Sequence, residues 1–555
     1  MKKSSKLIII TFFSIFIIKS LFGIFINGPY LLSEEACSIV KATHFIKYFE
    51  IKSCTLLTSV PITELSPLYS MIISPIYIFF SGSLAYKLVL ILNNLLISSL
   101  IFPLYKIFKK FISKKSYLIL LILVFNLLPQ IIIAGYTATN TVLLIFLSIW
   151  FLYFYQASFE KNSIKYKTLS ILFAFLTIFT NPIGLILPFS LIVNELILNK
   201  NKKSVALIYL PGAFILSYIT ITIFFPNLRD LIDMRLFQLI NFNFYKHLIV
   251  AIKNQLNSYI IASYYIPIFL ILSFLFSSKS KFVLNTRYFL LTFLISNFII
   301  GILSVDHYYE EELRTAFLTK VIQNSIIYIF IYAVILFTQL KKIKFNLVTY
   351  IIHIILVSSL LFIEYSKIRL DYNLDIAFLY NTSISSIVNN LVQSKNYVFA
   401  IIFALILILN LLLIKNKKKE LIIVYSTILI CTGVFTSIWL YNFTKFTPET
   451  TKLFKDKNEK ILFIGDIEDN TAVSNSYWKL LVLSSGIENI KFNFLTINQL
   501  SKSKETITLH DSEKDYINEN FDYLISNLKF DIPVYKTLNK GGTGSNLNEY
   551  IYKLN

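Results

Sequence analysis

Apolar residues occur along this chain in long blocks separated by short polar stretches. The first block is 7–27, and others fall at 84–105, 117–134, 139–157, 168–180, 183–198, 205–225, 259–277, 288–305, 320–340, 346–363, 396–414 and 421–441. A helix needs about 20 mostly apolar residues to cross a bilayer, so the pattern predicts a mainly α, polytopic membrane protein of about thirteen transmembrane helices. Asn181-Pro182 divides what would otherwise be one long helix, because proline lacks a backbone donor and clashes with the preceding turn; two short spans are expected there. Lys2, Lys3 and Lys6 precede the first block, as in a signal peptide. The block is long enough to span and no small-residue cleavage site follows, so it reads as a retained helix.

The pattern changes in two places. Within 28–83, Ala36, Ile39, Val40, Thr43, Ile46 and Phe49 recur at helical spacing, with Lys41, His44, Lys47 and Tyr48 on other faces. This predicts an amphipathic helix lying along the membrane interface, with Glu34 and Glu35 in its first turn, where water reaches both carboxylates. A second helix is predicted over 66–80, opening Ser66-Pro67-Leu68-Tyr69; it is apolar, carries two prolines and is too short to cross. Beyond 441 the chain turns polar. Strand-like runs at 460–466, 491–497 and 521–526, with a helical pattern at 474–484, predict a small α/β domain over 442–555 following a transmembrane domain over 1–441. Gly541-Gly542-Thr543-Gly544-Ser545 lacks the Lys-Ser/Thr ending of a phosphate-binding loop and no helical pattern follows it, so it reads as a plain loop.

Charge adds orientation. Only 15% of residues are charged and 56% are hydrophobic, whereas a globular domain carries about 25% charged residues. A net charge of +21 would suggest nucleic acid if the basic residues formed one patch on a folded domain. They fall instead in short clusters between alternate spans: Lys106, Lys109, Lys110, Lys114 and Lys115, then Lys161, Lys165 and Lys167, then Lys200, Lys202 and Lys203, continuing to Lys415, Lys417, Lys418 and Lys419. Basic loops stay cytoplasmic, which puts the N-terminus inside and loops 28–83, 226–258, 306–319 and 364–395 outside together with the C-terminal domain. Those outer loops hold most of the acids of residues 1–441. Three cysteines exclude a disulfide framework and any Cys-rich metal site. Cys37 and Cys54 share one outer loop and can pair if it faces an oxidising space; two unpaired thiols is the expectation.

A first span, an acidic pair opening an interfacial helix, a Pro-Leu-Tyr helix, a run of spans and a terminal outer domain together resemble the GT-C superfamily of integral membrane glycosyltransferases. Within it the chain is similar to the bacterial relatives of the protein O-mannosyltransferases and to the lipid A aminoarabinose transferases. Those open their first outer loop with Asp-Glu and a small residue, where this chain has Glu34-Glu35-Ala36, and Ser66-Pro67-Leu68-Tyr69 matches their Pro-Leu-Tyr segment. The specific motifs cover roughly the first 110 residues, and topology and hydropathy carry the rest. The resemblance implies transfer of a sugar from a polyprenyl-phosphate carrier to a glycan, lipid or protein acceptor on the outer face, with Glu34 as general base and Glu35 as its supporting neighbour. No cofactor is implied.

The residues agree with that chemistry in kind. No nucleotide-binding motif occurs, which disfavours a nucleotide-sugar donor, while a lipid-phosphate donor needs a cation for the phosphate and a carboxylate for the acceptor. The cations in view are Lys19 and Lys87 near the outer ends of their helices, and Arg314, whose guanidinium can hold phosphate in a bidentate manner. A lysine near a helix end commonly snorkels for structural reasons, and Arg314 can pair instead with Glu310 or Glu311. Glu64 is a second acid in the first outer loop, either supporting the acceptor side or, as its place in a loop favours, simply solvated. His307 is a further candidate for substrate or phosphate; with Asp306 and Glu310 it could instead hold a divalent metal, for which one histidine with scattered acids is a weak signal. Asn93-Asn94 inside a span either lines a cavity or bonds between helices. The alternatives are a flippase or transporter of lipid-linked sugars, which would show inverted repeats and charges at mid-span, and a polymerase, which would show one very large late outer loop; this chain shows neither.

Overall fold

The computed structural model describes residues 3–26, 28, 32–49, 67–110, 114–161, 163–181, 186–190, 459–465, 490–494, 511–526, 529–539 and 548–554, with scattered single positions elsewhere. They belong to two compact units: one takes Met1–Ile17, Leu95–Gly135 and Thr141–Trp439, the other Ile18–Asn94, Tyr136–Asn140 and Leu440–Asn555. Most spans expected beyond 198, the helix expected at 474–484, and Glu64, His307 and Arg314 lie outside the described residues.

Helix α1, Lys3–Ile24, is apolar almost throughout. Leu7, Ile10, Phe13, Ile17, Leu21 and Ile24 are all exposed, and their spacing places them on one stripe. A continuous exposed apolar stripe of that length is what a helix presents to lipid, not to water. The opposite stripe, Ile15, Lys19, Gly23 and Ile26, is buried. The helix closes by tightening: Phe25 N–H donates to the Phe22 carbonyl and Ile26 N–H to that of Gly23, bonds of i→i+3 type that satisfy end carbonyls.

A pair of short helices appears where the periodicity put it. Helix α2 spans Leu32–Tyr48 and α3 spans Pro67–Phe79, and the two pack on each other, with Ser70 Oγ donating to the Ser38 carbonyl at 3.2 Å. Pro67 starts α3 at the position where a missing N–H costs nothing. Pro75, within the helix, cannot donate to the Met71 carbonyl, and Ser74 Oγ supplies that carbonyl with a donor at 2.8 Å instead. Cys37 is disulfide-bonded, against the expectation of free thiols; Cys54 and Cys431, the other two cysteines, both lie outside the described residues.

Gly82 opens α4 (Gly82–Ser99) with φ 55°, a left-handed conformation that glycine adopts without a Cβ penalty. Leu100 joins it to α5, Ile101–Phe108, so that Gly82–Phe108 is one stretch long and apolar enough to cross a membrane. Lys6–Ile24 and Thr141–Ser158 also meet that test. The block expected as a single helix over 117–134 is instead two, α6 (Lys115–Asn126) and α7 (Pro129–Tyr136), bent by 58°. Pro129 accounts for the break, since it has no N–H for the carbonyl one turn back and restricts Leu128 before it. Helix α8, Thr141–Lys161, packs on α9, Ile164–Thr180, through an aromatic group in which Trp150 meets Phe154 and Phe173. Helix α9 stops at extended Asn181, directly before Pro182, as expected.

In the C-terminal region, β1 (Ile461–Gly465), β2 (Ile490–Phe494), β3 (Tyr523–Ser526), β4 (Val534–Asn539) and β5 (Asn548–Lys553) form one sheet of order β2-β1-β3-β5-β4. Strand β1 runs parallel to β2 and β3, while β5 is antiparallel to both β3 and β4. Ile461–Ile464 and Tyr523–Ser526 are buried throughout, which explains why these strands read as unbroken apolar runs. Helix α10, Asp511–Asn520, covers the sheet with Ile517, which joins Phe521, Leu524, Phe530 and Tyr552 in the core. The glycine run 541–545 falls between the paired ends of β4 and β5 and is itself outside the described residues.

Candidate active site

Glu35, Ala36, Cys37, Ser38 and Ile39 are all buried, and since five consecutive residues cover more than a full turn, this part of α2 is buried on every face instead of presenting the polar face expected of an amphipathic interfacial helix. Lys41 is buried as well, although the helical pattern put it on a polar face. Glu35 is 0% exposed, where the sequence led us to expect a solvated carboxylate. A buried carboxylate persists only if protein donors replace the water it has lost. Two donors converge on one of its oxygens: Tyr86 Oη donates to Oε2 at 2.7 Å, and the Ala138 backbone N–H donates to the same atom at 2.7 Å. A weaker contact of 3.3 Å runs from the Tyr86 hydroxyl to the Gly28 carbonyl. A hydroxyl has one proton, and the short bond to the carboxylate takes it.

The donors are placed by α4 and by the irregular segment between α7 and α8. Tyr86 and Asn93 are seven residues apart on α4, hence on one face. Asn93 Nδ2 donates to the Thr137 carbonyl at 2.8 Å, and the Tyr69 hydroxyl of α3 donates to Asn93 Oδ1 at 3.1 Å. Fixing Thr137 fixes the next residue, Ala138, whose N–H meets Glu35. Asn93 thus bonds between helices, the second of the two readings its sequence position allowed. Asn94 Nδ2 and Tyr136 Oη both donate to the Lys19 carbonyl, at 3.4 and 3.2 Å, which ties α1 into the same group.

Tyr77 belongs to this neighbourhood through α3. Its ring is half-buried, its hydroxyl is buried without a hydrogen-bond partner, and burial, reinforced by the charge on Glu35, pushes its phenol well above the ordinary range. Both side-chain amide atoms of Asn140 are likewise buried and unpartnered. The result is a buried network of tyrosines and asparagines around one carboxylate. Tyr86, Tyr77 and the Ala138 amide were not singled out from the sequence; a tyrosine inside an apolar block carries no local sign of its partner.

Glu34 belongs to α2 by its backbone, about 100° of helix rotation before Glu35, and its side chain lies outside the described residues. Lys87 is half-buried on α4, next to Tyr86. Among the described residues no three His, Cys, Asp or Glu side chains come together as a metal site.

No protein-family model matches the sequence, and no curated protein matches it by sequence. Comparison of folds does find neighbours. ArnT from Cupriavidus metallidurans in the apo state superposes with a TM-score of 0.50 at 11% identity, covering 99% of this chain and 98% of that one. ArnT from the same organism bound to undecaprenyl phosphate gives a TM-score of 0.49 at 10% identity, covering 98% and 97%. At such identity the likeness is one of architecture: over nearly its whole length, this chain shares the fold of apo ArnT, a lipid A aminoarabinose transferase of the GT-C type.

Proposed function

We propose that this protein is a membrane glycosyltransferase that moves a sugar from a polyprenyl-phosphate carrier to a glycan, lipid or protein acceptor on the outer face of the membrane, in building or modifying the cell envelope. The observation that carries the reading is Glu35, completely buried at the head of an interfacial helix and bonded through one oxygen to Tyr86 and to Ala138 N–H. The fold shared with ArnT supplies the setting. The disulfide at Cys37 supports an oxidising, outer-face location for α2, since disulfides persist there and are rare in the cytosol.

In this reading the two glutamates divide the work. Glu34 takes the proton of the acceptor hydroxyl as that oxygen attacks the anomeric carbon of the donor sugar. The new C–O bond forms as the bond from that carbon to the phosphate oxygen breaks, and its electron pair leaves with the polyprenyl phosphate. Lys87 and Arg314 are assigned to the phosphate, whose charge they offset, and Glu64 and His307 to the polar edge of the substrate. Glu35 acts through position: pinned by Tyr86 and Ala138, it sets the orientation of the helical turn that carries Glu34.

The test is glycosyl transfer from a panel of polyprenyl-phosphate sugars, with Glu34→Gln and Glu35→Gln compared to the parent chain. Loss of a general base lowers the rate by about 10²–10⁴-fold, and Glu34→Gln should fall in that range. Full activity in both variants would refute the assignment. An inactive parent chain that nevertheless translocates carrier lipid in vesicles would establish the flippase reading.

A further inference from the structure

The sequence suggests that Lys19 snorkels, and the structure has it doing the opposite. It lies on the inward stripe of α1 with Ile15, Gly23 and Ile26 and is 6% exposed. Its Nζ is buried and has no hydrogen-bond partner. The helix is held close at this turn. The Lys19 carbonyl accepts from both Tyr136 Oη and Asn94 Nδ2, and one turn on, a Cβ at Gly23 would sit 3.3 Å from Asn94 Nδ2 and 3.6 Å from the Tyr136 ring. Two polar atoms on neighbouring residues are also buried and unsatisfied: Ser20 Oγ, next in sequence, and Asn94 Oδ1, on the amide that meets the Lys19 carbonyl.

An ammonium removed from water without a counter-charge is among the most costly arrangements a membrane helix can carry, and such residues mark sites where a charged partner arrives. The partner must be an anion with several acceptor oxygens, to use the three donors of the ammonium and the Ser20 hydroxyl together. Asn94 Oδ1 needs the reverse, a donor such as a protonated phosphate oxygen or a hydroxyl next to it. A phosphate group answers both. Lys19 lies five residues before the end of α1, about 7–8 Å along the helix axis, a depth that suits the headgroup of a lipid phosphate.

We propose that Lys19, with Ser20 beside it and Asn94 across from it, forms a buried binding subsite for a phosphate group. Lys19 is one of the cations in view from the sequence; its burial adds a subsite to the Lys87 and Arg314 assignment, and the proposal rests on the reading of the protein as a user of polyprenyl-phosphate sugars. The subsite holds the phosphate against α1 and α4, within the same unit as Glu35.

The experiment uses the full chain in nanodiscs, as parent, Lys19→Met and Lys19→Arg, with binding of polyprenyl phosphate and of inorganic phosphate read by native mass spectrometry and by thermal shift. Lys19→Met should bind polyprenyl phosphate about 10–100-fold more weakly than the parent, the loss of one charge-assisted contact, with Lys19→Arg in between. Without ligand, Lys19→Met should melt no lower than the parent, because it removes an unpaired buried charge. Equal binding by parent and Lys19→Met would overturn the subsite and leave the glycosyltransferase reading standing. A ligand-free Lys19→Met that melts well below the parent would also overturn it, showing a structural lysine. Lys19-dependent binding of inorganic phosphate with none of polyprenyl phosphate would uphold the subsite and remove the lipid-carrier reading.

Discussion

Tyr86 gives its hydroxyl proton to Glu35 across 2.7 Å, although 51 positions of sequence separate them. That bond and the one from Ala138 N–H, 103 positions away, are what make a fully buried carboxylate tolerable at the head of α2. Removing the hydroxyl leaves the carboxylate short of a donor. Tyr86→Phe should lower stability by about 1.5–3 kcal/mol, the range for a hydrogen bond to a charged group. In a thermal-melt double-mutant cycle with Glu35→Gln, the two substitutions should be strongly non-additive; additive effects would mean that the bond contributes nothing.

Ser74 repairs the gap that Pro75 leaves in α3 by donating to the Met71 carbonyl. Ser74→Ala should therefore cost about 1 kcal/mol, and Ser74→Thr, which keeps the hydroxyl, much less. Melting temperatures of the two variants side by side are sufficient. If alanine and threonine behave alike, the carbonyl is satisfied some other way.

The disulfide at Cys37 anchors α2 two residues from Glu35. We expect its partner to be Cys54, in the sequence between α2 and α3, and peptide mapping without reduction will identify the pair. Cys37→Ser should destabilise the protein by about 2–4 kcal/mol, read as a lower melting temperature. A Cys37 thiol that alkylates freely under native, non-reducing conditions would contradict the bond.

In the C-terminal sheet, Tyr552 Oη accepts from the Phe530 N–H at 2.8 Å, with the two rings 5.8 Å apart and nearly perpendicular. Burial pushes the Tyr552 phenol up to about 12, so the folded state favours the neutral form. The pH dependence follows in sign: this contribution is fully present below about pH 10, the phenol's ordinary value, and fades as pH rises through about 12. Alkaline unfolding of the whole protein, followed by limited proteolysis of the C-terminal region, should thus have a component between pH 10 and 12 that Tyr552→Phe removes. The variant also strands the Phe530 N–H and should cost about 1–3 kcal/mol at neutral pH.

Local pattern was enough for the elements. The apolar blocks at 7–27, 84–105 and 139–157 became α1, α4 with α5, and α8, and the period of 34–49 became α2, because a helix's partners lie three or four residues away in the same stretch. The apolar runs at 460–466, 491–497 and 521–526 became β1, β2 and β3, because short apolar runs bounded by turn residues carry a strand signal even though their pairing partners are distant. Strands β4 and β5 and helix α10 were missed, since α10 offers little apolar residue beyond Ile517 and Tyr516 and the hairpin strands mix lysine, asparagine and tyrosine.

What the sequence determined by itself was a membrane chain with an acidic pair in the first turn of the helix after its first apolar block, because span length and helical period are properties of neighbouring residues. Only the tertiary structure decided that Glu35 is sealed from water, that Lys19 turns inward, and that Cys37 is bonded. Those outcomes depend on donors and approaches brought together from α1, α4 and the turn at 136–140, and no local period records which distant residue a buried charge will meet.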